Sequence, residues 1–281
     1  MLIPLQTIGA CAAATMFVVM FSVGLAIPPE RLSYLWRRPL PLLRGALSAL
    51  VVVPLLALAV VTHVDLPVAA KIGILAMAIS PGAPVALRRS LEAGAHDAFA
   101  PSLQLVVVTL AVLTIPASIE LLDVLYFGNA RADPLAIARQ VFFAQLLPLA
   151  IGIGLRKAWP ALALRIEPGF ARAANWLFAL LAAVVVVSVW TTAIGVGLLA
   201  ILCALGLTAA SIGAGLLLGA PDPETRPAMA IVSAMRNPGL ALLLASANNS
   251  PPGVIAMILA YLLCSAALVI PYVIWRRRVS R

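Results

Sequence analysis

Long apolar runs alternate with short polar connections along the whole chain. Each run is about 20 residues long, the length that an α-helix needs to cross the hydrocarbon core of a bilayer. Polar and apolar residues do not alternate within the runs, so the pattern predicts an all-α integral membrane protein rather than a barrel of strands. It predicts nine transmembrane helices, at approximately 6–27, 43–62, 68–91, 98–125, 135–156, 170–190, 195–219, 226–247 and 252–275.

Proline and glycine interrupt two of these runs near their middle. The interrupting residues are Pro81, Gly82, Ala83 and Pro84 in the third span, and Asn237, Pro238 and Gly239 in the eighth, where Arg236 directly precedes them. Proline removes a helical donor, clashes with the preceding turn and disfavours the helical conformation of the residue before it. Each run is therefore predicted to unwind or kink, and an ordinary proline kink is the simpler interpretation of either interruption alone.

The two interruptions lie at equivalent places in a predicted internal repeat. Each falls in the third helix of a four-helix set, in repeat one at approximately 6–125 and in repeat two at approximately 170–275. The sets begin five helices apart, so they have opposite orientations, and the span at 135–156 links them. Paired interrupted helices in two inverted halves indicate a transporter with its substrate site near the membrane midplane. The chain, 1–281, is thus interpreted as a single membrane transporter domain.

The basic residues cluster on one side of the predicted bundle. Fifteen of the nineteen fall in the odd-numbered connections and the C-terminal tail: Arg31, Arg37, Arg38, Arg44, Arg88, Arg89, Arg156, Lys157, Arg165, Arg172, Arg226, Arg276, Arg277, Arg278 and Arg281. By the positive-inside rule, the C-terminus lies in the cytoplasm and the N-terminus outside, in the inner (plasma) membrane.

Composition excludes a soluble domain. The chain is 63% hydrophobic and only 10% charged, with a mean hydropathy of +1.10, whereas soluble domains are about 25% charged. The net charge of +9 is assigned to orientation and not to a nucleic-acid partner, because the basic residues flank apolar runs. Cys11, Cys203 and Cys264 lack the spacing of a metal or disulfide site and are predicted to be small core residues.

Four segments together resemble one transporter family. They are MFSVGLAIPPERLSYLWRRP (20–39), RGALSALVVVPLLA (44–57), SPGAPVAL (80–87) followed by AHDAFAPSLQLVVVTL, and SAMRNPGLALLLA (233–245). In order and spacing they resemble the bile acid:sodium symporter family. The resemblance implies panel and core domains, two broken helices that cross in the core, and sodium-coupled transport of organic anions such as bile acids, steroid conjugates or small carboxylates. Bacterial members often have ten spans, and this chain resembles one that lacks the first.

The resemblance also implies that the sodium sites are largely lost. The positions that match the family's sodium ligands are Ala49, Ala86, Leu87, Ala100, Gln104, Val232, Arg236 and Asn237. Among their side chains only Gln104 and Asn237 supply an oxygen, and a hard cation needs several oxygen ligands. No cofactor is therefore expected, although the family implies sodium.

Three roles remain open for Arg236, which matches a position that binds sodium in the family. Its guanidinium could replace the ion, hold the crossover together through the carbonyl ends of the broken helices, and make transport sodium-independent. It could instead anchor the substrate, because arginine binds carboxylate, sulfate or phosphate in a bidentate manner. The purely structural alternative is an arginine bonded to unwound carbonyls without a transport role.

The remaining polar residues offer no catalytic arrangement. Gln104, Ser102 and Asn175 are the preferred cavity-lining residues, whereas His63, Asp65, His96, Asp97, Glu120 and Asp123 are assigned to the membrane interfaces. No carboxylate lies in either break, which favours facilitated diffusion or exchange over strong ion coupling. No enzyme motif is present. The expected partners are a small organic anion and the lipid bilayer; the alternatives are an arsenite-type efflux permease of the same superfamily and a non-transporting membrane receptor with a carrier fold.

Overall fold

The computed structural model describes residues 5–122, 133–193, 196–220 and 222–279, and every regular element in these ranges is a helix or helical turn. The α-helices are α1 (Leu5–Ala26), α2 (Tyr34–Arg37), α3 (Pro39–Leu47), α4 (Val53–His63), α5 (Val68–Ala78), α6 (Pro84–Glu92), α7 (Phe99–Leu122), α8 (Pro134–Val141), α9 (Leu147–Ala158), α10 (Pro160–Ala193), α11 (Leu198–Leu218), α12 (Arg226–Ala234), α13 (Pro238–Ala247) and α14 (Pro252–Val279). A 3₁₀ turn (Pro29–Ser33) precedes α2, and π turns join α3 to α4 (Ser48–Val52) and α8 to α9 (Phe142–Leu146).

Within the described residues, seven helical stretches are long and apolar enough to cross a membrane. They are Gly9–Ala26, Pro39–His63, Phe99–Leu121, Pro134–Ala158, Leu198–Leu218, Arg226–Ala247 and Pro252–Val279. The prediction of an all-helical membrane fold is confirmed. The count of nine stays a prediction, because the third predicted span consists of the short helices α5 and α6 and the sixth lies within α10, outside these seven stretches.

Both predicted helix breaks are present. The third predicted span separates into α5 and α6, and the eighth into α12 and α13. In each case the second half-helix begins with a proline in its first turn, where a missing N–H removes no helical hydrogen bond. In the first break Gly82 adopts a φ of 76°, a left-handed conformation that glycine reaches without steric cost.

The π turn Ser48–Val52 is explained by the proline that follows it. The N–H of Val53 donates to the carbonyl of Ser48, five residues back, and is thus not used for Ala49, four residues back. The next residue that could reach the Ala49 carbonyl is Pro54, which has no N–H. The Ala49 carbonyl is therefore left without a donor from its own helix. The turn Phe142–Leu146, followed by Pro148, repeats this arrangement.

The second broken helix lies at the centre of the molecule. In the stretch Arg226–Ala247, 94% of the span window is buried, against 28% in Leu198–Leu218. On one side α1, α9 and α10 pack together as a layer. Gly24 and Gly152 permit this packing, because a Cβ on either would lie within 2.9 Å of the other's Cα. Helix α1 also packs against α13, so this layer borders the second break.

The cysteines only partly follow the sequence prediction. Cys264 is buried, Cys203 is half-buried and Cys11 is exposed on α1. The prediction of a core position is wrong for Cys11, because the outer surface of a membrane bundle is as apolar as its interior. The division of the chain into two inverted halves stays a prediction.

Candidate functional site

The two breaks meet and are joined by a backbone hydrogen bond, a contact here called the crossing. The N–H of Asn237 donates to the carbonyl of Ser80 at 2.8 Å, so each unwound segment satisfies a polar group of the other. The side chain of Asn237 caps α13 by accepting from the N–H of Leu240 at 3.1 Å. Its amide nitrogen Nδ2 is buried and has no partner among the described residues.

Arg236 lies immediately before this crossing and is almost completely buried, with 2% exposure. Its Nη1 donates to the carbonyl of Ala49 at 2.8 Å. Its Nε and Nη2 have no hydrogen-bond partner within the part of the chain that the structure describes, nor does any ion pair recorded there involve it. The site thus holds a buried cation with unused donors and, among the described residues, no counter-charge.

The acceptor of Arg236 is the carbonyl that the first π turn leaves free. No described hydrogen bond joins Arg236 to the carbonyl ends of the broken helices, as one hypothesis expected. The arginine instead reaches the helix that carries Ala49, one of the positions at which the resemblance implies a sodium ligand. Next to it, the hydroxyls of Ser48 and Ser233 lie 2.7 Å apart and tie the π turn to α12.

The first break is held by an uncharged amide. Gln104 of α7 is fully buried, and its Nε2 donates to the carbonyls of Gly82 at 3.2 Å and Ala83 at 3.4 Å. The structure thus brings Gln104, one of the predicted site residues, to the first break. Its Oε1 is buried without a partner among the described residues. The residues of the break itself, Pro81, Gly82, Ala83 and Pro84, are all buried.

Sequence reasoning missed Gln145, a second amide at the first break. Gln145 lies in the π turn Phe142–Leu146 and is fully buried. Its Oε1 lies 3.4 Å from the position that a Cβ would occupy on Gly82. The sequence does indicate Gln145, because it is a lone amide in the apolar run FFAQLLP. The span at 135–156 was interpreted only as a linker between the repeats, so this amide was not considered as a site residue.

Ser102 and Asn175, the other two predicted site residues, do not lie at the crossing contacts. The hydroxyl of Ser102 donates to the carbonyl of Arg31 at 3.4 Å, which ties α7 to the 3₁₀ turn. Asn175 is exposed on α10 and lines a cavity of about 600 Å³ between α1, α6 and α10.

This cavity begins directly after the first break and carries charge at its wall. Its lining includes Pro84 at the start of α6, together with Arg88, Arg89, Glu92 and Glu167. Glu92 accepts from Arg88 at 3.1 Å and from Arg89 at 2.8 Å. Burial opposes ionisation of Glu92, but the hydrogen bond and charge of Arg89, together with the other neighbouring arginines, hold its pKa below the usual range. The cavity wall thus retains a carboxylate neutralised by arginine.

The titratable residues assigned to the interfaces lie away from the crossing. Asp97 has 63% side-chain exposure and pairs with Arg31 at 3.2 Å. His63, Asp65 and Glu120 are exposed and His96 is half-buried, whereas Asp123 lies outside the described residues. Among these residues, none that is described lies buried beside either break.

Comparison with known proteins identifies the family. A search of curated proteins finds no match. The model of the sodium bile acid symporter family matches residues 13–200, which is more than half of the 281 residues. The match includes the first break, Gln104 and Gln145, and ends before Arg236 and the second break. Together with the helical, multi-span fold, it shows a multi-pass membrane transporter with a small-molecule substrate: the chain belongs to the sodium bile acid symporter family.

Proposed function

We propose that the chain is a secondary transporter of small organic anions, working by alternating access, in which Arg236 takes the place of the coupling sodium ion. The observation that carries the proposal is the buried guanidinium at the crossing, which makes one hydrogen bond and has no ion-pair partner among the described residues. We infer the transporter fold from the family, and we infer the preference for anions and the independence from sodium from the residues around Arg236.

The charge of Arg236 favours an anionic substrate. Burying an uncompensated cation within a membrane protein is expensive, so such groups pair with an opposite charge or line a wet, functional cavity. The unused Nε and Nη2 carry three N–H donors. A carboxylate or sulfate can accept two of them in parallel, which is the strongest form of this contact. An organic anion would thus complete the partnering of Arg236.

The surroundings of the site favour sodium independence. Ala49, Ala86, Ala100 and Val232 match sodium-ligand positions by resemblance, and each is at most 1% exposed within one hydrophobic cluster. Apolar side chains in a packed cluster supply no oxygen to a hard cation. A permanent charge on Arg236 would supply the positive field there without an ion gradient, consistent with facilitated diffusion or exchange.

The proposal also accounts for the cavity beside the first break. The cavity lies between α1 and α10 on one side and α6, the half-helix that starts at Pro84, on the other. Because its wall carries Arg88 and Arg89, residues of a predicted cytoplasmic connection, we assign it to the cytoplasmic side. An anion leaving the crossing would enter this space.

A thermal-shift experiment on purified protein in lipid nanodiscs tests the proposal. Wild type is screened with cholate, taurocholate, butyrate and sulfate, in sodium and in choline buffers, beside Arg236→Gln and the control Arg139→Gln on the exposed surface of α8. At least one anion should raise the unfolding temperature of wild type and control equally in both buffers, and Arg236→Gln should lose the rise. Anion stabilisation that requires sodium, or that survives in Arg236→Gln, would overturn the proposal.

A further inference from the structure

We propose that Arg88 and Glu167 form a cytoplasmic gate, in which an ion pair between them closes the cavity beside the first break. Both side chains line this cavity of about 600 Å³, Arg88 from α6 and Glu167 from α10. The inference rests on the proposed function, because a carrier that alternates its access must close this cavity during part of its cycle. It adds to that function the residues that close the cavity.

The wall formed by α6 carries a surplus of positive charge. Glu92 is paired with three arginines: Arg89 and Arg277, each at 2.8 Å, and Arg88 at 3.1 Å. One carboxylate neutralises only one of these cations. Arg88 is the most exposed of the three, with 74% side-chain exposure against 37% and 46%. Arg88 can therefore leave Glu92 without leaving that carboxylate unpaired.

The wall formed by α10 carries a negative charge without a partner. Glu167 is half-buried, and none of the ion pairs in the described parts of the chain includes it. Arg172 of the same helix donates to the carbonyl of Pro168 at 3.2 Å. A half-buried carboxylate is stabilised by the approach of a cation. The two walls of the cavity therefore carry charges that attract each other.

The two walls belong to different packing groups. Helix α6 packs against α12 and α7, whereas α10 packs against α1 and α14. Helix α6 is also short, Pro84–Glu92, and begins at the first break. A change in the distance between the walls therefore needs no change within either helix, and the long side chain of Arg88 can follow it.

An anion in the cavity would compete with Glu167 for Arg88. Arginine binds a carboxylate or sulfate through two parallel hydrogen bonds, so a solute held by Arg88 keeps the gate open until the solute leaves. Glu167 can then take its place. Ion pairs between partly exposed side chains are weak, so the closed gate opens again readily.

The test measures how often the cavity is open, with a cysteine as reporter. Ser22 lines the cavity from α1 and is only 6% exposed. In Ser22→Cys, N-ethylmaleimide reaches the thiol only while the cavity is open, and peptide mass spectrometry separates residue 22 from the native cysteines. The labelling rate is measured in nanodiscs without anion, at an ionic strength of about 10 mM, where the Debye length of about 30 Å leaves the ion pair unscreened.

Removing either charge should open the cavity. In Ser22→Cys protein, Arg88→Gln and Glu167→Gln should each raise the labelling rate about 3-fold, the size expected for one partly exposed ion pair. Arg88→Glu combined with Glu167→Arg rebuilds the pair with reversed charges and should return the rate to within about 1.5-fold of the reporter protein. The control Arg165→Gln, on the exposed surface of α10, should leave the rate unchanged.

The two single variants separate a gate from a direct effect of charge on the thiol. A nearby carboxylate disfavours the reactive thiolate and a nearby arginine favours it, so a direct effect would change the two rates in opposite directions. Opposite changes, or no change in either variant, overturn the gate. A reversed pair that labels as fast as the single variants overturns it as well.

A disulfide trap replaces the labelling test if a charge variant does not fold. Arg88→Cys with Glu167→Cys is oxidised, because a disulfide forms only when the two Cβ atoms approach to about 4 Å. The matched control is Arg88→Cys with Asn175→Cys, which lines the same cavity eight residues further along α10. Faster bridging of 88 to 167 than of 88 to 175 supports the gate, and equal or absent bridging overturns it.

Failure of the gate is distinguishable from failure of the proposed function. The labelling experiment contains no anion, so unchanged rates overturn the gate while anion binding at Arg236 stands. If no anion stabilises the wild-type protein, the proposed function fails, and the labelling rates decide the gate by themselves.

Discussion

The two helix breaks lie against each other but meet their surroundings with different chemistry. In the first break the unwound carbonyls of Gly82 and Ala83 receive donors from the neutral amide of Gln104. The second break instead carries a surplus of donors on Arg236, one of which reaches the carbonyl of Ala49 in another helix. Among the described residues, the first break is therefore contacted by a neutral amide, whereas the second carries a cation with no ion-pair partner.

The difference shows that a proline break leaves backbone groups without helical hydrogen bonds but does not decide which side chains replace those bonds. Breaking a membrane helix frees backbone groups that neighbouring helices must satisfy. At the first break, the carbonyls of Gly82 and Ala83 accept from an amide of the neighbouring helix α7. At the second, the π turn and Pro54 free the Ala49 carbonyl for the arginine.

The largest expected effect comes from removing the charge at the second break. Arg236→Met replaces the guanidinium by an apolar chain, and truncating one partner of a buried charge pair costs about 2–5 kcal/mol of binding. We expect anion affinity to fall by about 30-fold or more, while the unfolding temperature without anion stays equal or rises. Thermal-shift titration measures both. If Arg236→Met binds the anion within a few-fold of the wild-type affinity, the charge at the second break does not contribute to anion binding.

A smaller effect is expected from filling the space at the first break. Gly82→Ala imposes a left-handed φ of 76° on a residue with a side chain, and its Cβ would lie 2.9 Å from Cγ2 of Val108. We expect a loss of about 1–3 kcal/mol of stability, seen as a lower unfolding temperature. The control is Gly206→Ala in α11, where a Cβ meets nothing within 4 Å; it should be neutral or stabilising by up to about 1 kcal/mol. Equal effects at both glycines would contradict the strain at Gly82.

The smallest effect should come from the hydroxyl pair that supports the second break. Ser233→Ala leaves the hydroxyl of Ser48 buried without its partner at 2.7 Å. The expected loss is about 0.5–1.5 kcal/mol of stability. Ser48→Ala with Ser233→Ala should cost less than the two single changes together, because the double variant leaves no orphaned hydroxyl. Additive losses in this double-mutant cycle would show that the pair is not coupled.

The amino-acid sequence alone determined the helical membrane fold, both breaks and the burial of Arg236 in an apolar run. These features follow from local chemistry: hydrocarbon length, the missing N–H of proline and the conformational freedom of glycine. Gln104 was among the residues predicted to line the site, but its hydrogen bonds to the first break were not predicted.

Only the tertiary structure decided which side chains meet. It turned Ser102 toward the carbonyl of Arg31, left Asn175 at a cavity wall, and brought Gln145 to Gly82 from a helix that the sequence marked only as a linker. It also gave Arg236 the carbonyl of Ala49 as its partner. The physical reason is that apolar spans carry little periodic signal to set their rotation, so helix packing and the π turns decide which face each amide presents.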